Sequence, residues 1–288
     1  MKKLLNRLLS LFKNNRPILI TGSHRSGTTW AGKMLCLSGN LHSVFEPFNI
    51  AGGAFSKDKR FKHWFEYINS NNETSDLVEA FKNVINNKND RVVFKDPIAI
   101  LSSEWMSKRF NSQVVMLIRH PAAVVSSLVR LDWRFDFTTH FLSQEQLMDD
   151  YLNIYADEIK SCIEKNDKII EASILWKCLY FIASEYIKRN KNFIVMRHED
   201  LSSEPLKNFK YLYKKLGLKW TQQIENEISQ FCSSQNPTEA PDNVPHHLHR
   251  HSKSVIKIWK GRLSADDIKK IKDITYPVSS LYYSDEDW

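Results

Sequence analysis

Nine residues hold most of the chemistry legible in this chain: Gly22-Ser23-His24-Arg25-Ser26-Gly27-Thr28-Thr29-Trp30. They follow the apolar run Ile18-Leu19-Ile20 and precede a stretch with helical periodicity. A strand, a glycine-bounded turn and a helix start make an anion cradle, because unbonded backbone N–H groups and the positive end of the helix dipole converge on one spot. The spacing is that of a phosphate-binding P-loop, with Thr28 where the usual Lys would stand. That difference argues against an ordinary ATPase or kinase and for a loop that holds another phosphorylated donor. A second group follows the same logic. Arg119 stands at the end of an apolar run and Ser127 follows on a helical stretch; a forked cation and a hydroxyl donor suit a phosphate.

The elements that must position these residues can be read from hydropathy. Four apolar runs, 18–20, 92–94, 114–118 and 193–196, read as buried strands, and helical patterns separate them. Such alternation predicts a parallel sheet covered on both faces, a three-layer α/β, P-loop-like fold. Ligands of such sheets bind beyond the carboxyl ends of the strands. The residues there are 22–29, Lys95-Asp96, Arg119-His120 and Arg197-His198, so the polar chemistry gathers on one edge. Helices are expected over 28–37, from Ser102 or Ser103 through 108, and over 122–129 with Pro121 at the first helical position. Ser143 with Gln146 reads as a capping box opening a long helix to about 165. Further helices are expected over 169–188, over 206–216 ending at Gly217, and after Ser264 with Asp267. Residues 233–251, with three prolines and four histidines, read as a loop and a candidate lid.

At 288 residues, one large domain over 17–288 is the expectation. A net charge of +8 and a pI near 9.1 suit an anionic partner. No RNA-binding aromatic motif or zinc-finger spacing supports nucleic acid. Cys36, Cys162, Cys178 and Cys232 form no CxxC pair and resemble no metal site or disulfide framework, which implies a reducing, cytoplasmic setting. Residues 1–16 are basic and amphipathic, too short and too charged to span a bilayer. They read as a surface helix, either packed on the domain or lying peripherally on the inner face of a membrane.

With these motifs in view, the chain resembles the sulfotransferases that use 3′-phosphoadenosine-5′-phosphosulfate (PAPS), from residue 17 to about 263. The match is nearest to the carbohydrate and tyrosylprotein branches. The resemblance implies that Ser26, Gly27, Thr28 and Thr29 hold the 5′-phosphate, that Arg25 neutralises charge as the sulfuryl group leaves, and that Trp30 lies near the adenine. Arg119 and Ser127 match the family's 3′-phosphate clamp. Phe45-Glu46-Pro47 resembles a segment of the carbohydrate enzymes and makes Glu46 the candidate general base, since an attacking hydroxyl must lose its proton. Phe94-Lys95-Asp96-Pro97 resembles an element of the tyrosylprotein enzymes, with Lys95 stabilising the bridging oxygen. Pairing of Lys95 with Asp96 or another carboxylate is the alternative. Arg197-His198-Glu199-Asp200-Leu201 resembles a mostly structural family element in which His198 replaces Tyr. The region after Ser252 closes over the donor in relatives, so Ser252 is a candidate to hold the leaving group, and Arg250 and Lys260 to reach the 3′-phosphate. A monoanionic sulfuryl group requires no Mg²⁺, and no metal is expected; the His246–His251 run reads as a basic lid rather than a metal site.

The resemblance implies transfer of a sulfuryl group to an acceptor hydroxyl, expected on a glycan or glycolipid. Trp64, Phe65, Tyr67, Trp133, Phe135 and Phe137 could line a sugar site, although core packing suits most of them. Two competing readings keep part of this pattern: a nucleotide-dependent phosphotransferase on the same fold, and a non-catalytic membrane-surface protein that uses the basic N-terminus.

Overall fold

The computed structural model describes residues 15–55, 60–86, 90–238, 249 and 251–288. The expected helix over 1–16 and the candidate Arg250 therefore lie wholly or mostly outside the described residues, as does most of the expected lid.

Five parallel strands form one sheet in the order β2-β3-β1-β4-β5. In chain order the elements are β1 (Ile18–Gly22), α1 (Thr28–Cys36), β2 (Leu41–Phe45), α2 (Ser75–Asn86), β3 (Arg91–Lys95), α3 (Ser103–Phe110), β4 (Gln113–Ile118), α4 (Pro121–Arg130), α5 (Ala156–Lys165), α6 (Lys168–Arg189), β5 (Phe193–Arg197), α7 (His198–Ser203), α8 (Pro205–Leu216), α9 (Gln222–Phe231) and α10 (Ala265–Ser279). The α/β three-layer expectation holds, and its cause is visible in the strands. Leu19, Val92, Phe94, Val114, Met116 and Ile118 pack into one apolar cluster, with Ala122, Val125, Trp176, Tyr180 and Ile271 from the helices on that face. Ile18, Ile20, Val93, Val115 and Leu117 pack into a second cluster with Ala31, Met34, Phe209 and Leu212. Alternate residues of each strand serve opposite faces, so both faces must be covered.

Three features depart from the sequence reading. β2 was not foreseen. It is an edge strand in which only Val44 is buried, and His42 and Ser43 interrupt its apolar character. The long helix expected from Ser143 is broken: π-helical turns at Thr138–Leu142 and Met148–Leu152 and a 3₁₀ turn at Asn153–Tyr155 precede α5. Ser143 does not cap; its hydroxyl donates back to the Thr139 carbonyl at 2.5 Å. Helices α7 and α9 were also unforeseen; α9 begins at Thr221, whose hydroxyl accepts from Ile224 N–H at 3.3 Å.

Candidate active site

All five strands end on one edge, and their last residues deliver the polar groups. After β1 the chain turns through Arg25 at φ 64° and Gly27 at φ 95° before entering α1. Gly27 caps α1 without any side-chain hydrogen bond, and the first turn carries no acid, so nothing from this segment occupies its anion-attracting end. Gly27 is needed twice over: its φ suits glycine, and a Cβ there would stand 2.6 Å from His198 Cδ2. The Tyr180 hydroxyl fixes the start of the turn, accepting from Ser23 N–H at 3.0 Å and donating to the Leu117 carbonyl at 2.8 Å.

The two phosphate motifs meet. Arg25 Nε donates to Ser127 Oγ at 2.9 Å, and Arg119 Nη1 donates to the Arg25 carbonyl at 2.8 Å. Arg119 is held at its own carbonyl by Trp176 Nε1 at 2.9 Å. Its Nε is buried and has no hydrogen-bond partner among the described residues. Burial lowers the Arg119 pKa, and the Glu199 carboxylate opposes that effect. A buried guanidinium with an unmet donor fits an anionic ligand.

Glu46 and Lys95 also meet, and β2 is the reason. In the β2–β3 pairing Phe45 lies opposite Lys95, and Glu46 N–H donates to the Lys95 carbonyl at 2.9 Å. Lys95 Nζ then reaches Glu46 Oε1 at 2.5 Å and lies 3.7 Å from the centroid of the Phe45 ring. Asn49 Nδ2 donates to Glu46 Oε2 at 2.8 Å. Burial lowers the Lys95 pKa, and Glu46 pulls it back up. Gly32 makes room for the lysine stem, since a Cβ there would stand 3.0 Å from Lys95 Cγ. Asp96 does not pair with Lys95. Its carboxylate accepts from Phe48 N–H at 2.7 Å and Ile98 N–H at 2.8 Å, which ties the turn after Glu46 to β3. Burial pushes the Asp96 pKa up to about 7, against those two N–H groups.

These groups open on a cavity of about 370 Å³. Arg25, Gly27, Thr28, Thr29, Trp30, Glu46, Arg119 and Ser252 line it. Lys95 and Ser127 stand one contact behind the wall, reached through Glu46 and Arg25. The Ser252 hydroxyl faces the Cys232 carbonyl at 3.4 Å. Lys260 is not on the wall; its ammonium donates to the Trp288 carbonyl and lies over the Trp259 ring. Ser26 is fully buried and can contribute through its backbone.

The cavity also exposes residues the sequence reading missed. His198, expected to be structural, lines it and sits 5.8 Å from the Trp30 ring. Phe231, at the end of the unforeseen α9, also lines it. Asn49, His24, Trp64 and Trp133 line it as well, with the His24 ring 6.0 Å from Trp64 and 5.8 Å from Trp133. Phe65, Tyr67 and Phe137 are core residues. The adjacency of His24 to the anion loop was the available signal. Arg197 and Asp200 form a two-point pair at 2.7 and 3.0 Å, the structural part of that element. The four cysteines form no disulfide; Cys162, Cys178 and Cys232 are buried and Cys36 is half-buried. Among the described residues no group of three or more His, Cys, Asp or Glu side chains is placed to hold a metal ion. Nor is any helix among them long and apolar enough to cross a membrane.

A model of the sulfotransferase domain matches residues 15–281. The fold is similar to the sulfotransferase domain from the curacin biosynthetic pathway, at 15% identity and TM-score 0.56, over 93% of this chain and 98% of that one. It is similar to the sulfotransferase domain from the Synechococcus PCC 7002 olefin synthase, at 13% identity and TM-score 0.54, over 93% and 95%. The sulfotransferase STF9 from Mycobacterium avium gives 12% identity and TM-score 0.51, over 93% and 76%. No curated protein matches the chain in sequence.

Proposed function

The chain belongs to the sulfotransferase family, and from that premise we propose that it moves a sulfuryl group from PAPS to a hydroxyl of a glycan or glycolipid. The observation that carries the donor assignment is the contact between the two phosphate motifs. Arg25 bridges to Ser127 at 2.9 Å while Arg119 holds the Arg25 backbone at 2.8 Å, so one small molecule with two phosphates can engage both. The uncapped start of α1 takes the 5′-phosphate through the N–H groups of Ser26 to Thr29. Arg119, with its unmet Nε, takes the 3′-phosphate, and Ser127 joins it once Arg25 turns from the Ser127 hydroxyl to the ligand. Trp30, His198 and Phe231 give the adenine an aromatic wall, and Ser252 supports the leaving group.

The chemistry then follows from the Glu46–Lys95 pair. The acceptor oxygen attacks sulfur as its O–H proton passes to Glu46. The S–O bond to the 5′-phosphate breaks, and its electron pair stays on the nucleotide. Once protonated, Glu46 no longer holds Lys95 by charge, so the cation becomes available as negative charge builds on the departing oxygen, alongside Arg25. One proton transfer thereby supplies the base and releases the countercharge. Trp64 and Trp133, which line the cavity around His24, offer indole rings suited to the C–H surface of a sugar ring.

The test is transfer from radiolabelled PAPS to fractionated host glycans and lipids, with Glu46→Ala as control. Glu46→Ala should keep nucleotide affinity and lose nearly all turnover. Undiminished transfer in that variant would remove Glu46 from the mechanism, and absence of label in every glycan and glycolipid fraction would remove the glycan.

A further inference from the structure

The donor reading leaves one polar side chain of the β1–α1 turn idle. His24 lines the cavity beside Glu46. Its ring meets three aromatic rings edge-on: Phe65 at 5.1 Å and 74°, Trp133 at 5.8 Å and 79°, and Trp64 at 6.0 Å and 66°. These neighbours fix the imidazole plane. Among the described residues neither ring nitrogen has a hydrogen-bond partner, and neither is a fully buried orphan. Burial lowers the His24 pKa to about 4, with Glu46 opposing and Arg25 and Lys95 adding to the effect. Near pH 7 the ring is neutral and offers one donor and one acceptor.

The neighbouring residue points elsewhere: Arg25 reaches Ser127 on α4. The aromatic residues of the cavity divide the same way. Trp30, His198 and Phe231 belong to the side nearest α1 and α9, and Trp64 and Trp133 surround His24. The unmet hydrogen-bonding capacity of His24 therefore faces the incoming acceptor and not the nucleotide. A sugar presents neighbouring hydroxyls, each a donor and an acceptor, which complements a neutral imidazole beside a carboxylate.

We infer that His24 is an acceptor-binding residue, hydrogen-bonding one sugar hydroxyl while Glu46 activates the hydroxyl next to it. This rests on the glycan reading given above. The bland role for His24 is that of a flat spacer in an aromatic box, and two kinds of substitution separate the roles. His24→Phe keeps the packing and loses the hydrogen bond. His24→Gln and His24→Asn keep hydrogen bonding and lose the ring.

The experiment measures sulfuryl transfer from PAPS to soluble unsulfated polysaccharides (dextran, galactan, heparosan and chondroitin), with 3′-phosphoadenosine 5′-phosphate (PAP) binding measured by calorimetry in every variant. The expected result is unchanged PAP affinity throughout, a loss of about tenfold in kcat/KM for His24→Phe, carried mainly by acceptor KM, and retention within about threefold in one of the amide variants. Wild-type kcat/KM in His24→Phe, or loss in both amide variants with activity kept by His24→Phe, overturns the inference. Loss of PAP binding in all three variants makes His24 part of the donor pocket and overturns it too. Failure of the wild-type protein to label any polysaccharide is a separate outcome that removes the glycan reading itself.

Discussion

Replacing Lys95 by Met tests the reasoning about the Glu46–Lys95 pair most directly. Met keeps the stem that Gly32 accommodates and removes only the charge. The side chains are 4% and 13% exposed at a separation of 2.5 Å. Removing one partner of a buried pair costs about 3–5 kcal/mol, because the other charge is left without compensation. Glu46 borders the cavity and keeps Asn49, so the lower end applies and Lys95→Met should cost about 3 kcal/mol. Glu46→Gln should cost less, about 2 kcal/mol, because Lys95 is already biased by burial towards giving up its proton. The double variant has no charge to strand and should also lose only about 2 kcal/mol, against a sum of about 5, leaving a coupling of about 3 kcal/mol. Urea unfolding followed by tryptophan fluorescence measures all three, provided the slope with denaturant is unchanged. Additivity within about 0.5 kcal/mol would refute the claim that the two charges depend on each other. Both single variants should also lose turnover while keeping PAP affinity.

Three other outcomes follow from the geometry. Gly27→Ala should destabilise the protein by about 1–2 kcal/mol from φ alone and abolish measurable PAP binding, since the new methyl must displace His198; a thermal shift assay with and without PAP checks both. Arg119→Ala should lower affinity for PAP by about tenfold or more while adenosine 5′-phosphate binding changes little, and equal losses for the two nucleotides would contradict the 3′-phosphate assignment. Asp96 has a folded pKa raised to about 7 from an unfolded value near 3.8, so the folded state binds more protons between those limits. Its contribution is therefore most favourable below pH 4 and declines as pH rises to about 7. Asp96→Asn should remove that slope from a plot of unfolding free energy against pH, and an unchanged slope would show that Asp96 does not titrate there.

The strands that carry the phosphate motifs were legible because they are continuous apolar runs buried on both faces. The edge strand β2 was not, because an edge strand needs no such run and His42-Ser43 breaks the pattern. That omission had a consequence for the site. Glu46 and Lys95 could be singled out separately, but their contact depends on the pairing of Phe45 with Lys95, which no local pattern reveals. The long helix after Ser143 failed for a different reason. Capping chemistry describes local preference, whereas the Ser143 hydroxyl turns back to the Thr139 carbonyl and the adjacent Gln144 amide donates to the Phe65 and His140 carbonyls at 3.2 and 2.5 Å. Tertiary contacts thereby override the local signal. His198 was discounted because the family element it resembles is mostly structural, which holds for the Arg197–Asp200 pair, whereas His198 lines the cavity.

The crossover leaves the end of β2 at Glu46 and re-enters the sheet at Arg91, and β3 then runs parallel to β2 until Lys95 stands opposite Phe45, beside Glu46. Trp64 and Asn49 belong to this span, whereas Arg25 to Trp30, Arg119, His198 and Phe231 on the same cavity come from other parts of the chain. Insertions or deletions within the span would reshape the cavity wall around Trp64 while the β2–β3 pairing keeps the Glu46 carboxylate beside the Lys95 ammonium. The architecture thus lets selectivity diverge quickly without disturbing the bond-making step.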